Sequence, residues 1–172
     1  MSIINNSRKL SHYLRHSSDA NIYPGGWVRL VDVFKALNLL LKDIFDIVKT
    51  DDKERYSFDP VGSCIRANYG HSLLVNMLYV AIPKDTWAYP TYLCHLTKRE
   101  FVQSIFEKGL LPGKRNYVHT SYYSGYEELP KADTDEVWLE INTELIDKEL
   151  YNPCGRTYLT EHIPAKAIRI YE

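Results

Sequence analysis

The stretch Cys64-Ile65-Arg66-Ala67-Asn68-Tyr69-Gly70-His71-Ser72 is the part of this chain that most needs a chemical explanation. Successive residues of a strand point to opposite faces of the sheet. We therefore predict that Ile65 and Ala67 face a core, while Arg66 and Asn68 point away from it together. The residues after Asn68 add hydrogen-bond donors beside a glycine, which tolerates unusual backbone angles.

The same stretch forms the second half of a predicted β-hairpin. Tyr56–Phe58 has strand-forming residues, and Pro60 and Gly62 mark a turn before Ile65–Ala67. A surface hairpin carrying a solvated arginine would show the same local pattern. The hairpin alone therefore leaves its function open.

The composition describes a globular protein without a strong overall charge. The chain has 172 residues, 45% of them apolar, and a formal net charge of −1. A general electrostatic nucleic-acid binder would be basic, so any contact with RNA must depend on a local group of Arg and Lys. Cys64, Cys94 and Cys154 lie far apart, which is not the spacing of a metal-ligand pair, and we predict no metal site.

The ends and the apolar runs of the sequence predict no membrane association. No apolar run reaches membrane-spanning length, and the first residues lack the pattern of a secretory signal. We expect a cytoplasmic protein, and a monomer.

The first predicted helix is capped by Asn6 or Ser7 and begins near Arg8. Its inner face follows helical spacing and consists of Leu10, Tyr13, Leu14 and Ser17.

The last turn of that helix carries two basic residues, Arg15 and His16. The 100° step between helical residues places Arg15 nearly opposite the inner face, so both side chains are expected to reach outward from one turn. Cations at this position also stabilise the helix dipole, which is an equally good reason for their presence.

Two further helices are predicted before the hairpin, over Leu30–Leu37, with Asn38 as a cap, and over Leu41–Lys49. Three helices followed by a hairpin is the order of a winged-helix-like module, although fold alone does not assign a function. We predict an α+β protein with a winged-helix-like lobe over 1–78, a connector over 79–91 that contains Pro83 and Pro90, and a mainly β lobe over 92–172.

The second lobe begins with a predicted strand over Tyr92–Thr97, followed by a helix over 98–108 that Gly109 ends. A strand over Arg115–Ser121 is expected to place Tyr117, His119 and Ser121 on one face. Val137–Ile141 is predicted as a core strand.

Four blocks of the first lobe resemble the RNA 2′-phosphotransferase family, which is known for tRNA splicing. They occur in the family's order and cover most of residues 7–72: Ser7–Ser17, Gly26–Val28, Ile47–Tyr56 and Ile65–Ser72. The second lobe resembles the NAD-binding part of the same family, which has an ADP-ribosyltransferase fold. His95-Leu96-Thr97 is similar to its His-Gly-Thr motif, Arg115–His119 to its Arg-x-His-Val-His segment, and Gly155–Thr160 with Ile163-Pro164 to its closing strand.

Two features depart from the family pattern. Leu96 stands where family members have a glycine that would let NAD approach the backbone closely. The segment 122–135 contains no Arg, whereas family members commonly carry one there. Both departures raise the expectation of reduced or altered catalysis.

The resemblance implies a reaction in which an internal 2′-phosphate of RNA, with tRNA as the expected substrate, is transferred to NAD. The phosphate attacks the nicotinamide ribose and expels nicotinamide. The resulting ADP-ribosylated phosphate then gives 2′-OH RNA and ADP-ribose 1″,2″-cyclic phosphate. NAD is thus a co-substrate, and no metal is needed.

The family's catalytic Arg-His-Arg-Arg set matches Arg15, His16, Arg66 and Arg115. Arginine suits phosphate because its planar fork binds two oxygens at once. The histidine would hold the phosphate or shuttle a proton, and the sequence does not separate these roles. The NAD site is expected to involve His95, Thr97, His119 and Ser121, with Asn68, His71 and Ser72 supporting the phosphate or the co-substrate.

Two other functions fit the same residues. One is an ADP-ribosyltransferase that modifies nucleic-acid phosphates without the release step, which the two departures favour. The other is a catalytically idle RNA-binding module, which the predicted winged-helix order and the arginines favour. His95 and His119 could also be ordinary core histidines.

Overall fold

A computed structural model describes residues 3–171. The chain divides into two compact units, Met1–Tyr79 and Val80–Glu172. Four α-helices and two antiparallel sheets are described over these residues, which confirms the α+β class. Of the predicted connector 79–91, residue 79 belongs to the first unit and residues 80–91 to the second.

The first unit contains three helices and a three-stranded sheet. The elements are α1 (Ile3–His16), β1 (Trp27–Arg29), α2 (Leu30–Leu37), α3 (Leu41–Lys49), β2 (Tyr56–Phe58) and β3 (Cys64–Ala67). The predicted bounds of α2 and α3 and the predicted hairpin are confirmed. Asn38 ends α2 in the left-handed conformation, with its amide bonded to the Phe34 carbonyl at 2.9 Å.

β3 is the central strand of this sheet, in the order β1-β3-β2. Arg66 therefore has a neighbour on each side, Trp27 on β1 and Ser57 on β2. Ile65 and Ala67 are fully buried, as the alternation predicts. They join a core that includes Leu10, Tyr13, Leu14, Val28, Val33, Ile44 and Ile47.

The start of α1 was predicted too late. The helix already contains Ile3, so neither Asn6 nor Ser7 caps it; Asn6 is a buried helical residue, only 7% exposed. The inner face over Leu10, Tyr13 and Leu14 is confirmed, whereas Ser17 lies beyond the helix end. The cap signal failed because asparagine is also accepted inside a helix when tertiary packing covers it.

The second unit is built on a six-stranded antiparallel sheet with the order β7-β8-β5-β4-β6-β9. Its elements are β4 (Tyr92–Lys98), α4 (Val102–Lys108), β5 (Val118–Tyr123), β6 (Glu136–Asn142), β7 (Tyr151–Cys154), β8 (Thr157–Thr160) and β9 (Ile168–Ile170). One turn of 3₁₀ helix, Arg99–Phe101, precedes α4, so the predicted 98–108 helix is present with a tighter start. Leu93, Leu139 and Ile141 are fully buried at the centre of the sheet.

One strand boundary was wrong. β5 begins at Val118, so Arg115 and Tyr117 precede it. The Arg115 amide bonds the Pro112 carbonyl at 3.2 Å, which makes a turn of the segment that was predicted as strand. The expected shared strand face therefore does not include Tyr117.

Within residues 3–171, no helix combines the length and the apolar character that crossing a bilayer requires.

Candidate functional site

Arg15 is held by two aromatic rings of the first unit. Its guanidinium carbon lies 5.3 Å from the ring centre of Tyr69 and 5.9 Å from that of Tyr56. Its Nη1 donates to Ser11 Oγ at 2.9 Å. The side chain was predicted to reach outward, but it instead folds along α1 and is half-buried. Aromatic faces attract a guanidinium and limit its motion, so the charge is held in one place.

Arg66 is fixed in a similar way, on a different ring. Its guanidinium carbon lies 4.6 Å from the ring centre of Trp27. Nη1 donates to the Gly25 carbonyl at 3.2 Å, and Nε donates to Asn68 Oδ1, also at 3.2 Å. A stacked guanidinium with two hydrogen bonds is pre-organised to bind an anion.

Asn68 lies on the same side of the chain as Arg66, as the alternation predicts, but it is buried there and orients the Arg66 guanidinium. It is 2% exposed. Its Nδ2 donates to the Glu54 carbonyl at 2.8 Å, so Oδ1 is turned towards Arg66. β3 ends at Ala67, so Asn68 follows the strand directly and still shares a side with Arg66.

His16, the last residue of α1, is hydrogen-bonded to the segment that follows β3. Its Nδ1 lies 2.9 Å from Ser72 Oγ, at hydrogen-bonding distance. The Ser72 amide donates to the Arg15 carbonyl at 3.2 Å. Ser72 thus holds both the helix end and the imidazole ring.

Gly70 and His71 complete this arrangement. Gly70 has φ +91°, and a Cβ built on it would lie 3.3 Å from Arg15 Nε, so the backbone passes close beside the guanidinium. His71 is 4% exposed, and within residues 3–171 its Nε2 has no hydrogen-bond partner. Burial, followed by the positive charges of Arg15, His16 and Arg66, lowers the pKa of His71 to about 4. The first unit therefore brings together Arg15, His16, Arg66, Asn68, His71 and Ser72.

The low pKa of His71 predicts that the protein loses stability on acidification. The unfolded chain binds this proton near pH 6.5 and the folded chain only near pH 4, so the contribution is complete above pH 6.5 and is lost as the pH falls towards 4. We expect His71 to account for about 2 kcal/mol of the fall in unfolding free energy between pH 7 and pH 5. Urea unfolding of the wild type and His71→Gln at both pH values measures it. Equal losses in the two proteins would contradict the prediction.

In the second unit, Arg115, His119 and His95 form a chain of hydrogen bonds. Arg115 Nη1 lies 2.6 Å from His119 Nδ1, and His95 Nδ1 lies 2.8 Å from the His119 carbonyl. A guanidinium only donates, so His119 Nδ1 accepts and its Nε2 carries the proton. A carbonyl only accepts, so His95 Nδ1 carries the proton and its Nε2 is an acceptor. Burial is the main cause that lowers the pKa of His95, which favours this neutral form.

Thr97 and Ser121 lie on the neighbouring strands β4 and β5. Thr97 pairs with Val137 and is half-buried, while Ser121 pairs with Cys94 and is exposed. Leu96 is 37% exposed, so its side chain occupies space that a glycine would leave open.

Arg156 is a candidate site residue to which the sequence gave no role. The turn between β7 and β8 brings it to Tyr122, where its guanidinium carbon lies 5.6 Å from the ring centre. Its Nη2 donates to the Tyr122 carbonyl at 3.2 Å and to Glu127 Oε1 at 2.5 Å. A guanidinium thus lies against the segment 122–135, which has no arginine of its own. These partners are separated by about thirty residues, so no local pattern reveals the contact.

No group of three or more His, Cys, Asp or Glu side chains within the described residues is arranged to hold a metal ion.

Comparison of the sequence with known proteins shows the family of this chain. The family model for RNA 2′-phosphotransferase, Tpt1 / KptA family, matches residues 2–149. A probable RNA 2′-phosphotransferase of Acaryochloris marina is 30% identical over 174 residues, which cover 93% of this chain and 92% of that protein. One of Pyrococcus furiosus is 33% identical over 175 residues, with 94% and 92% covered. One of Nostoc punctiforme is 37% identical over 124 residues, which cover 67% of this chain and 65% of that protein. The chain belongs to the RNA 2′-phosphotransferase, Tpt1 / KptA family.

Proposed function

We propose that this chain is an NAD-dependent RNA 2′-phosphotransferase that removes an internal 2′-phosphate from RNA. The observation that carries the proposal is the cluster in the first unit. Two guanidinium groups are fixed on aromatic rings, His16 is held by Ser72, and the buried His71 ring has an Nε2 without a partner among residues 3–171. Fixed cations of this kind suit a phosphate that must be bound in one orientation.

In the first step, an oxygen of the RNA 2′-phosphate attacks C1″ of the nicotinamide ribose. The C1″–N bond breaks, its electron pair returns to the pyridinium nitrogen, and neutral nicotinamide leaves. In the second step, the ribose 2″-hydroxyl attacks phosphorus and the bond to the RNA 2′-oxygen breaks. The proton lost by the 2″-hydroxyl balances the one gained by the RNA 2′-oxygen, which gives 2′-OH RNA and ADP-ribose 1″,2″-cyclic phosphate.

We assign phosphate binding to Arg15, Arg66 and Arg115, because charge builds on the phosphoryl oxygens in the second step. His16 would hold the phosphate or carry the proton between the two hydroxyls. Ser72 would keep His16 in place, and Asn68 would keep Arg66 in place. The Nε2 atom of His71, which has no hydrogen-bond partner among residues 3–171, offers a further contact for a ligand.

NAD is consumed in this scheme and is therefore a substrate. The acceptor at His95 Nε2 suits a ribose hydroxyl, and the donor at His119 Nε2 suits a pyrophosphate oxygen. Thr97 and Ser121 would add hydroxyl contacts. The donor set fits this ligand, whereas the Leu96 side chain narrows the approach to the backbone relative to the family's glycine.

The proposal includes the finer fold assignment. The order of three helices followed by an antiparallel hairpin supports a winged-helix-like first unit, over the predicted 1–78. The family resemblance supports an ADP-ribosyltransferase-like second unit, over the predicted 92–172. We further propose that the enzyme acts as a monomer on tRNA in the cytoplasm, where both RNA and NAD are available.

One observation favours a second function. The exposed Leu96 side chain could alter how the nicotinamide ribose lies, so that the first step occurs and the release step does not. The chain would then be an ADP-ribosyltransferase acting on nucleic-acid phosphates.

Mass spectrometry of a 2′-phosphorylated oligonucleotide, incubated with the full chain and NAD, tests the proposal. We expect the oligonucleotide to lose its phosphate and ADP-ribose 1″,2″-cyclic phosphate to appear, with an oligonucleotide lacking the 2′-phosphate as the control substrate. A stable ADP-ribose adduct would favour the second function. An unchanged oligonucleotide that still binds would indicate an RNA-binding module without catalysis.

A further inference from the structure

We propose that a pocket beside Arg15 binds the RNA nucleotide next to the one that carries the 2′-phosphate. This inference rests on the proposed function and adds to it a binding site for flanking RNA. The pocket lies entirely within the first unit, where α1, the end of α3 and the start of β2 meet. Its volume is about 510 Å³, within the range of pockets that hold small ligands.

The pocket is continuous with the surroundings of Arg15. Ser11, which accepts a hydrogen bond from Arg15, forms part of its wall. Tyr56, one of the two rings beside the Arg15 guanidinium, forms another part. A molecule in the pocket would therefore lie next to whatever Arg15 binds.

The lining offers the three kinds of group that a nucleotide requires. Arg8 is an exposed cation for a phosphodiester. Ser7, Ser11 and Thr50 bring hydroxyl groups suited to a ribose. Ile3 and Ile4 are 46% and 61% exposed at the rim, and a base could cover their apolar surface.

The charges of the lining favour an anion. The side chain of Asp51 is 4% exposed and is paired with Arg55, whose Nη1 lies 2.5 Å from its Oδ1. The Arg55 amide also bonds this carboxylate. These two charges offset each other and fix the wall, whereas Arg8 has no ion-pair partner among residues 3–171. Arg8 is thus the cation that remains for a ligand.

These groups fit RNA better than a protein partner. The pocket is too small for a helix or a strand, and its polar groups surround one strong cation. A single-stranded RNA that passes Arg15 would place its neighbouring phosphodiester within reach of a long side chain such as Arg8. RNA recognition commonly combines backbone contacts with an apolar surface for an unstacked base.

The test compares substrates of different length. We expect extension of a 2′-phosphorylated dinucleotide by three nucleotides, on one side or the other, to lower KM for the wild type about three- to tenfold. In Arg8→Ala, extension of the substrate should lower KM much less than it does in the wild type. Binding of the longer oligonucleotide is also measured without NAD at several salt concentrations. The slope of log K against log salt concentration should be shallower by about 0.7 for Arg8→Ala than for the wild type.

Lys9→Ala is the matched control. It removes the same charge from the adjacent residue of α1, but Lys9 does not line this pocket. It should keep the wild-type gain from extension. An equal effect of Lys9→Ala, or no gain from extension on either side in the wild type, would overturn the proposal. The binding assay needs no turnover, so a chain that binds with the expected Arg8 dependence but does not react would overturn the proposed function alone.

Discussion

Replacing Arg66 with alanine is expected to lower kcat/KM about 10²–10³-fold, the usual loss when one fixed donor to a developing oxyanion is removed. Trp27, Gly25 and Asn68 hold this side chain in place, and the other residues of β3 carry no positive charge that could replace it. Steady-state turnover of a 2′-phosphorylated oligonucleotide with NAD measures the effect. Activity within threefold of the wild type would show that Arg66 does not bind the phosphate.

Two variants separate the role of the charge from that of its geometry. Arg66→Lys keeps the charge but loses the planar fork, and we expect it to recover only part of the activity. Trp27→Leu keeps Arg66 but removes the aromatic face on which it lies. We expect a smaller loss in the same direction, because the guanidinium would then be less well oriented.

The fold should survive the loss of Arg66. The main structural cost is at Asn68, whose buried Oδ1 loses a donor. Such a loss costs about 1–3 kcal/mol, which thermal unfolding of Arg66→Ala can check. A protein that unfolds near room temperature would make its low activity uninformative, and Arg66→Lys would then be the decisive variant.

Local patterns were sufficient for much of the first unit. The spacing of apolar residues and the Asn38 cap predicted α2 and α3, and the alternation around Ile65 predicted the hairpin. These features depend on residues close in sequence, where backbone preferences and burial agree.

Contacts between distant residues were not predictable. A helical wheel gives the direction in which Arg15 leaves α1, but not the bend that brings it to Tyr56 and Tyr69. The role of Trp27 under Arg66 depends on the strand order β1-β3-β2, which the sequence does not state. The contact of Arg156 with Tyr122 likewise requires the β7–β8 turn to reach β5.

Replacing Gly109 with alanine should cost the second unit about 4 kcal/mol of unfolding free energy. Gly109 ends α4 with φ +80° and ψ −178°, a combination that is essentially restricted to glycine and is strained by about 1–3 kcal/mol in other residues. A Cβ would also lie 2.2 Å from the Ile163 carbonyl oxygen. That oxygen cannot easily move, because it accepts the Leu110 amide at 2.9 Å while the Ile163 amide bonds Leu110 at 3.1 Å. The clash of the added Cβ with this fixed backbone adds about 1–3 kcal/mol to the loss of unfolding free energy.

Gly113→Ala is the control for a glycine with positive φ whose added Cβ meets no neighbour. Gly113 also has a positive φ, +65°, but a Cβ there would have nothing within 4 Å, so we expect a loss of only about 1 kcal/mol. Urea unfolding of both variants and the wild type gives the comparison. Equal losses in the two variants would show that the contact with Ile163 adds nothing to the need for a glycine at position 109. A loss above about 3 kcal/mol at Gly109 exceeds the cost of the backbone conformation alone and would show that the close approach of the Ile163 carbonyl contributes to it.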